Sequence, residues 1–139
     1  MGRRLKTYGL PINVGTVAAT GATTVYQTVP KSGTVAAAYL TGVETLAVDA
    51  TNRVAFTLIN MGQAGAGTAN VIAASAANST HLTGGAAITA NTKRTLVLGA
   101  AADLAVVEGD RLKVVATVSG TIVAETGVTV MLLIDANGA

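Results

Sequence analysis

Between Arg94 and Asp135 the chain reads RTLVLGAAADLAVVEGDRLKVVATVSGTIVAETGVTVMLLID, and apolar residues recur at alternate positions in runs broken at Glu108-Gly109-Asp110, Ser119-Gly120 and Thr126-Gly127. A period of two puts successive side chains on opposite sides of an extended backbone, and glycine-bearing breaks suit chain reversals. A helix would need a period near 3.6. This stretch is therefore read as consecutive β-strands joined by tight turns. After Asp110, Leu112, Val114, Ala116 and Val118 are expected to face inward, with Arg111, Lys113, Val115 and Thr117 outward. The run from Gly127 to Asp135 is expected to pair with it, with Val128, Val130, Leu132 and Ile134 on its core side. Its other side carries Thr129, Met131 and Leu133. An antiparallel sheet normally turns one face to water. Met131 and Leu133 are thus either an oligomer-interface stripe or are covered by a loop or the N-terminal segment of the same chain.

The rest of the chain has the same grammar. RVAFTLIN (Arg53 to Asn60) predicts a strand with Val54, Phe56 and Leu58 on one face, and the single Phe belongs in the core. Thr16 to Val29 predicts one or two short strands broken at Gly21, Pro30 to Gly33 a turn, and Thr34 to Leu40 another strand. Leu46 and Val48 alternate ahead of a turn at Asp49 to Asn52, and Lys93 to Leu98 reads as a strand. Ala69 to Ala77 suits a strand or a short helix and is read as strand; Asn78 to Asn91 is a polar loop. Residues 1–15 read as an extended arm, because Pro11 forbids a regular helix and holds Leu10 extended. Residues 16–139 then form one domain. The pentapeptide GTVAA at 15–19 recurs at 33–37, but no third copy follows, so a solenoid is not supported.

Composition limits what such a fold can do. Apolar residues make up 50% of the chain and charged residues 12%, against about 25% charged in an ordinary soluble domain. Mean hydropathy is +0.55, yet no apolar run reaches the ~20 residues of a membrane-crossing helix. The surplus apolar surface is expected to be covered by other protein, not membrane. The core is poor in aromatics: 27 Ala, 21 Thr, 18 Val and 16 Gly stand against one Phe, three Tyr and no Trp. Net charge is +2, with Arg3, Arg4 and Lys6 crowded at the start. That cluster is either a solvated tail or an arm that docks on an acidic neighbour. Nucleic acid is disfavoured, because residues for stacking bases are missing.

No candidate for chemistry survives its local context. Zero cysteines remove thiol catalysis, a zinc ribbon and disulfides. The glycines of Met61 to Gly67 follow a strand in the order GxxGxG, the reverse of the dinucleotide fingerprint, with no acidic residue about 20 positions on. His81 is the only histidine and belongs to no nucleophile–base motif. Asp103, Glu108 and Asp110 do not match a calcium loop and are read as turn chemistry. No signal peptide is recognised at the start, so synthesis and assembly in a cytoplasm are expected and the sequon Asn78-Ser79-Thr80 carries no glycan. The chain is therefore read as a non-enzyme without cofactor, metal or small-molecule substrate.

The run from Leu104 to Asp135, with its V-x-E-G-D-x-L-x-V step, its Ser119-Gly120-Thr121 turn and its closing G-V-T-V-x-L-L-I-D, resembles the C-terminal part of small jelly-roll or sandwich modules in tailed-phage structural proteins. With the cysteine-free Ala/Thr/Gly/Val composition, it is similar to capsid decoration (cement) proteins. The resemblance implies an all-β, antiparallel β-sandwich, jelly-roll-like, with an extended N-terminal arm. It implies a homotrimer on the outside of a bacteriophage capsid, bridging subunits of the major capsid protein, within a virion assembled in the host cytoplasm. In that setting Arg3, Arg4 and Lys6 would meet acidic capsid residues, and Tyr8, Leu10 and Ile12 would add a strand to a neighbour's sheet edge. The alternative is a tail- or head-fibre module that binds a host receptor.

Overall fold

In a computed structural model, which describes residues 6–136, the run RVAFTLIN is a strand at its expected bounds. The described chain contains β1 (Thr7–Val17), β2 (Gly21–Thr28), β3 (Gly33–Thr41), β4 (Arg53–Asn60), β5 (Ala69–Ile72), β6 (Arg94–Leu96), β7 (Ala105–Val106), β8 (Arg111–Ser119) and β9 (Glu125–Ala136). Two single 3₁₀ turns, Ala76–Asn78 and Ala101–Asp103, lie in the connections. The first sheet has the order β1-β9-β3-β6, with β7 also on β3; the second has the order β2-β8-β4-β5. Every pairing between strands is antiparallel.

The pairs nest: β1 with β9, β2 with β8, β3 with β6, β4 with β5. A long antiparallel hairpin rolled onto itself produces this order, and each sheet then holds alternate strand pairs of the hairpin. This is the jelly-roll arrangement of the antiparallel β-sandwich. The two inner faces meet in one core that includes Ile12, Leu40, Phe56, Leu58, Leu112, Val130 and Leu132. Strands of Val, Leu, Ile and Thr make such a core because their branched side chains pack well on a pleated surface.

One expected pairing is overturned. β9 does not pair with β8; it lies in the opposite sheet, between β1 and β3. Residues 120–124 carry the chain across the sandwich instead of reversing it in place. Ile122 in that crossing is buried and its N–H donates to the Ala19 carbonyl at 2.9 Å. Both strands keep the faces expected of them, because a crossing and a hairpin alike bring an inward-facing row back to the core.

The extended geometry expected near the start is present, but from Thr7 onward it is used within the chain. β1 pairs with β9 from Thr7 to Val17, continuing past position 15 with shifts of register on either side of Gly15, and Leu10, Ile12 and Val14 are buried. The Ala136 N–H donates to the Lys6 carbonyl, so strand alternation aims the backbone groups of residues 7, 9, 11 and 13 at the free edge. Pro11 therefore sits where an absent N–H breaks no ladder bond. What reads as a helix-breaking arm is an edge strand.

Candidate functional site

The register builds rows of apolar residues on the outward face of the first sheet. Pro11, Met131, Tyr39 and Thr95 stand side by side across β1, β9, β3 and β6, and Gly9, Leu133 and Ala37 form the row beside them. Gly9 and Pro11 are exposed; Met131, Leu133, Tyr39 and Ala37 are half-buried. Met131 leans over β1, where a Cβ on Gly9 would lie 3.1 Å from its Sδ. The missing side chain at Gly9 thus lets the thioether lie flat on the sheet. Lys93 Nζ stands 4.2 Å above the Tyr39 ring and places a cation at the margin of the face. At the other end Thr7 Oγ1 donates to Asp135 Oδ1 at 2.6 Å.

The eight residues singled out from sequence separate into groups. Met131 and Leu133 lie together on this face, on one strand and half-covered by neighbouring strands of the same sheet. Leu10 and Ile12 are 5% and 1% exposed in the core of their own chain, so neither is on offer to a neighbour's sheet edge. Tyr8 packs on the same core and its hydroxyl donates to the Lys31 carbonyl in the turn between β2 and β3. Burial raises the phenol's pKa, and the hydrogen bond to Lys31 opposes that shift. Lys6 is exposed. Arg3 and Arg4 lie outside the described residues.

The second sheet presents a different surface. Arg53, Arg111 and Lys113 all project from its outer side, opposite the core-facing Val54, Leu112 and Val114. The Arg111 guanidinium stacks 4.5 Å from the centre of the Tyr26 ring. A shallow depression beside this face is lined by Arg53, Ser75, Ser79, His81 and Ser119. His81 Nδ1 accepts from the Thr83 N–H at 2.9 Å, and Ser79 Oγ donates to the Ala76 carbonyl at 2.7 Å. Both groups hold the local turn, and Ser79 Oγ is not bonded to the imidazole.

Two buried charged groups escaped the sequence reading. Glu125 is fully buried; Oε1 accepts from the Glu44 N–H at 2.7 Å and Oε2 has no partner among the described residues. Gly42 makes room for that carboxyl, since a Cβ there would collide with it. Arg94 is 9% exposed; Nη2 donates to the carbonyls of Ala77 and Ser79 at 3.0 and 2.6 Å, and Nη1 has no partner among the described residues. Burial lowers its pKa from the usual arginine value. The alternation Arg94, Leu96, Leu98 gave a signal for Arg94, because those two leucines share its face. Nothing local to Glu125 marks it as buried.

No known protein-family model and no curated protein matches this chain. Among solved structures, the chain is similar to one in the structure of infectious bursal disease virus Gx strain, with a TM-score of 0.38 and 14% identity over 94% of this chain and 32% of that one. The chain thus spans about a third of the length of that viral chain.

Proposed function

We propose that this protein is a structural component of a virion, a decoration protein that binds the outside of a capsid and bridges subunits of the major capsid protein. The observation that carries the reading is the outer face of the first sheet, where Met131, Leu133, Tyr39 and Pro11 stand in adjacent rows across β1, β9 and β3. A face of this kind suits another protein and offers no cleft for a small substrate. The jelly-roll strand order fits such a role but also serves unrelated functions. The resemblance of Leu104 to Asp135 to decoration modules adds the virion setting. In this reading Met131 and Leu133 meet neighbouring copies in a homotrimer. Arg3, Arg4 and Lys6 meet acidic residues of the shell, while Leu10 and Ile12 serve the core instead. The protein has no catalytic role in this reading.

The test mixes purified protein with expanded and immature empty shells of candidate phages and images where added density sits. Binding to expanded shells by the wild type, and its loss in the double variant Met131→Glu/Leu133→Glu with the fold retained, is the expected result. A double variant that binds as well as wild type would remove this face from the contact. Binding to host glycans with none to shells would favour the receptor-binding fibre reading.

A further inference from the structure

A jelly roll has open sheet edges, and three of the four here are blunted. β1 carries Pro11 at an edge-facing position and irregular register around Gly15. β5 and β6 are only 4 and 3 residues long. Short strands, prolines and bulges are the common means of keeping an edge from pairing with another chain. The fourth edge, β2, has none of them. GATTVYQT runs 8 residues, holds one register on β8 from Gly21 to Thr28, and contains neither charge nor proline.

Its unpaired groups can be named. Val29 exchanges backbone bonds with the turn before β8, its N–H donating to the Asp110 carbonyl and its carbonyl accepting from Gly109. Alternation then turns the backbone groups of Gly21, Thr23, Val25 and Gln27 toward β8 and those of Ala22, Thr24, Tyr26 and Thr28 away from it. Among the described residues the second set has no backbone partner, and the Thr28 carbonyl accepts only from the Gln27 side-chain amide at 3.1 Å, a bond the docking strand would replace. Val25 is only partly buried against the core, and Tyr26 is 47% exposed with Arg111 stacked on its ring.

We propose that β2 is a homotypic docking edge, and that a second copy of this chain pairs with it antiparallel about a twofold axis at Val25. Opposed residues in an antiparallel pair must share a face, which restricts self-pairing to registers centred on a residue. Centring on Val25 opposes Thr24 with the partner copy's Tyr26 and Ala22 with its Thr28. All four edge-facing residues then exchange their bonds. The same register sets Val25 against its own copy and covers the exposed remainder of that side chain. An uncharged strand brings no like-charge repulsion to the seam. The Lys113 backbones of the two copies stand about three strand spacings apart, roughly 14 Å, beyond the screening length at physiological salt, while each Arg111 guanidinium is held over its own Tyr26 ring. The result is an isologous contact joining two four-stranded sheets into one.

This contact is independent of the apolar face of the first sheet, and the variants separate the two. Thr24→Pro removes an edge-facing N–H while sparing the ladder to β8, the arrangement Pro11 already has in β1. Thr24→Lys places a charge on the exposed side of the same edge. Sedimentation equilibrium of the wild type should give an even-numbered assembly, and both variants should halve its mass or weaken association by at least about tenfold. Met131→Glu/Leu133→Glu should leave the twofold association intact. Hydrogen exchange on the wild type needs no variant: the amides of Thr24 and Tyr26 should gain protection as concentration rises, and those of Thr23 and Val25 should be protected throughout. Wild-type mass in a folded Thr24→Lys protein, or exchange at Thr24 and Tyr26 that ignores concentration, would overturn the proposal. So would protection appearing only when shells are added, since the edge would then take a strand of a different protein.

Discussion

Asn60 Nδ2 donates to Asp110 Oδ2 at 2.9 Å, and both side chains are buried. The same Asp110 oxygen accepts the Val107 N–H at 2.8 Å, and Asn60 Oδ1 accepts the Gly62 N–H at 2.9 Å. One carboxylate thus ties the reversal before β8 to the end of β4, and Gly109 (φ +91°) supplies the left-handed turn between them. The Glu-Gly-Asp step is a structural clasp. Asp110→Ala leaves an amide and a backbone N–H buried without acceptors, so a loss of about 2–4 kcal/mol is expected in urea denaturation. A change below about 0.5 kcal/mol, the size of an ordinary surface substitution, would show that the clasp does not hold the turn.

Glu125 predicts a pH dependence of stability. Burial raises its carboxyl above the ordinary 4.5, and the nearby negative charge of Glu44 pushes the same way, while the hydrogen bond from the Glu44 N–H opposes them. The folded chain therefore keeps this proton at pH values where the unfolded chain has released it. The sign follows from linkage: the contribution is full below the unfolded value and is lost as pH rises through the higher folded one. Glu125→Gln cannot ionise and should abolish that decline. Thermal melts of the two proteins should nearly coincide at pH 4 and separate toward pH 8, with the Gln variant the more stable. Parallel melting curves across that range would mean that Glu125 ionises as readily folded as unfolded.

Asn78 acts as a piece of strand. Its Oδ1 accepts the Val97 N–H at 2.7 Å and its Nδ2 donates to the Val97 carbonyl at 2.9 Å, extending the hydrogen bonding just beyond β6. The side chain is 2% exposed, which closes the sequon to a glycan in the folded protein whatever compartment the chain occupies. Asn78→Ala strands both backbone groups of Val97 and should cost about 1–3 kcal/mol. Amide exchange at Val97 should rise in the variant; an unchanged rate would show that water or a shifted backbone replaces the bond.

Strand identity was legible wherever apolar and polar residues alternate, as in RVAFTLIN and in RLKVVATVS, because the local period and the buried face are one fact. Partnership was less so. Val114 and Val130 are both inward-facing, but only the crossing at residues 120–124 puts them in different sheets, and its length carries no rule that separates a crossing from a loop. Pro11 misled because the same residue opens an arm or sits on a sheet edge, and the difference lies in which way the N–H would point. The burial of Glu125 was not legible, because the Gly at 42 that makes room for its carboxyl lies far away in sequence; Arg94 shares a face with Leu96 and Leu98, but the carbonyls of Ala77 and Ser79 that receive it required the fold. On the candidate surface, Met131 and Leu133 could be singled out from a strand apolar on both sides; their row with Tyr39 and Pro11 required the tertiary register.

The edge-strand position of β1 makes two truncations diverge. Removing residues 1–13 takes Leu10 and Ile12 from the core and strips one side of β9 of its partner. Burial of two such side chains contributes about 3–6 kcal/mol, a large share of the roughly 5–15 kcal/mol that holds a domain folded. The shortened chain should be insoluble or molten, with lost side-chain dispersion in its NMR spectrum. Removing residues 1–5 stops short of the Lys6 carbonyl that accepts from Ala136 and keeps all of β1. That chain should melt within a few degrees of wild type. If it also loses shell binding, Arg3 and Arg4 are the contacts; if it binds unchanged, they are not, and Lys6 or another part of the folded surface must make the contact. A well-folded chain lacking residues 1–13 would show that β1 is dispensable to the sandwich and can leave it.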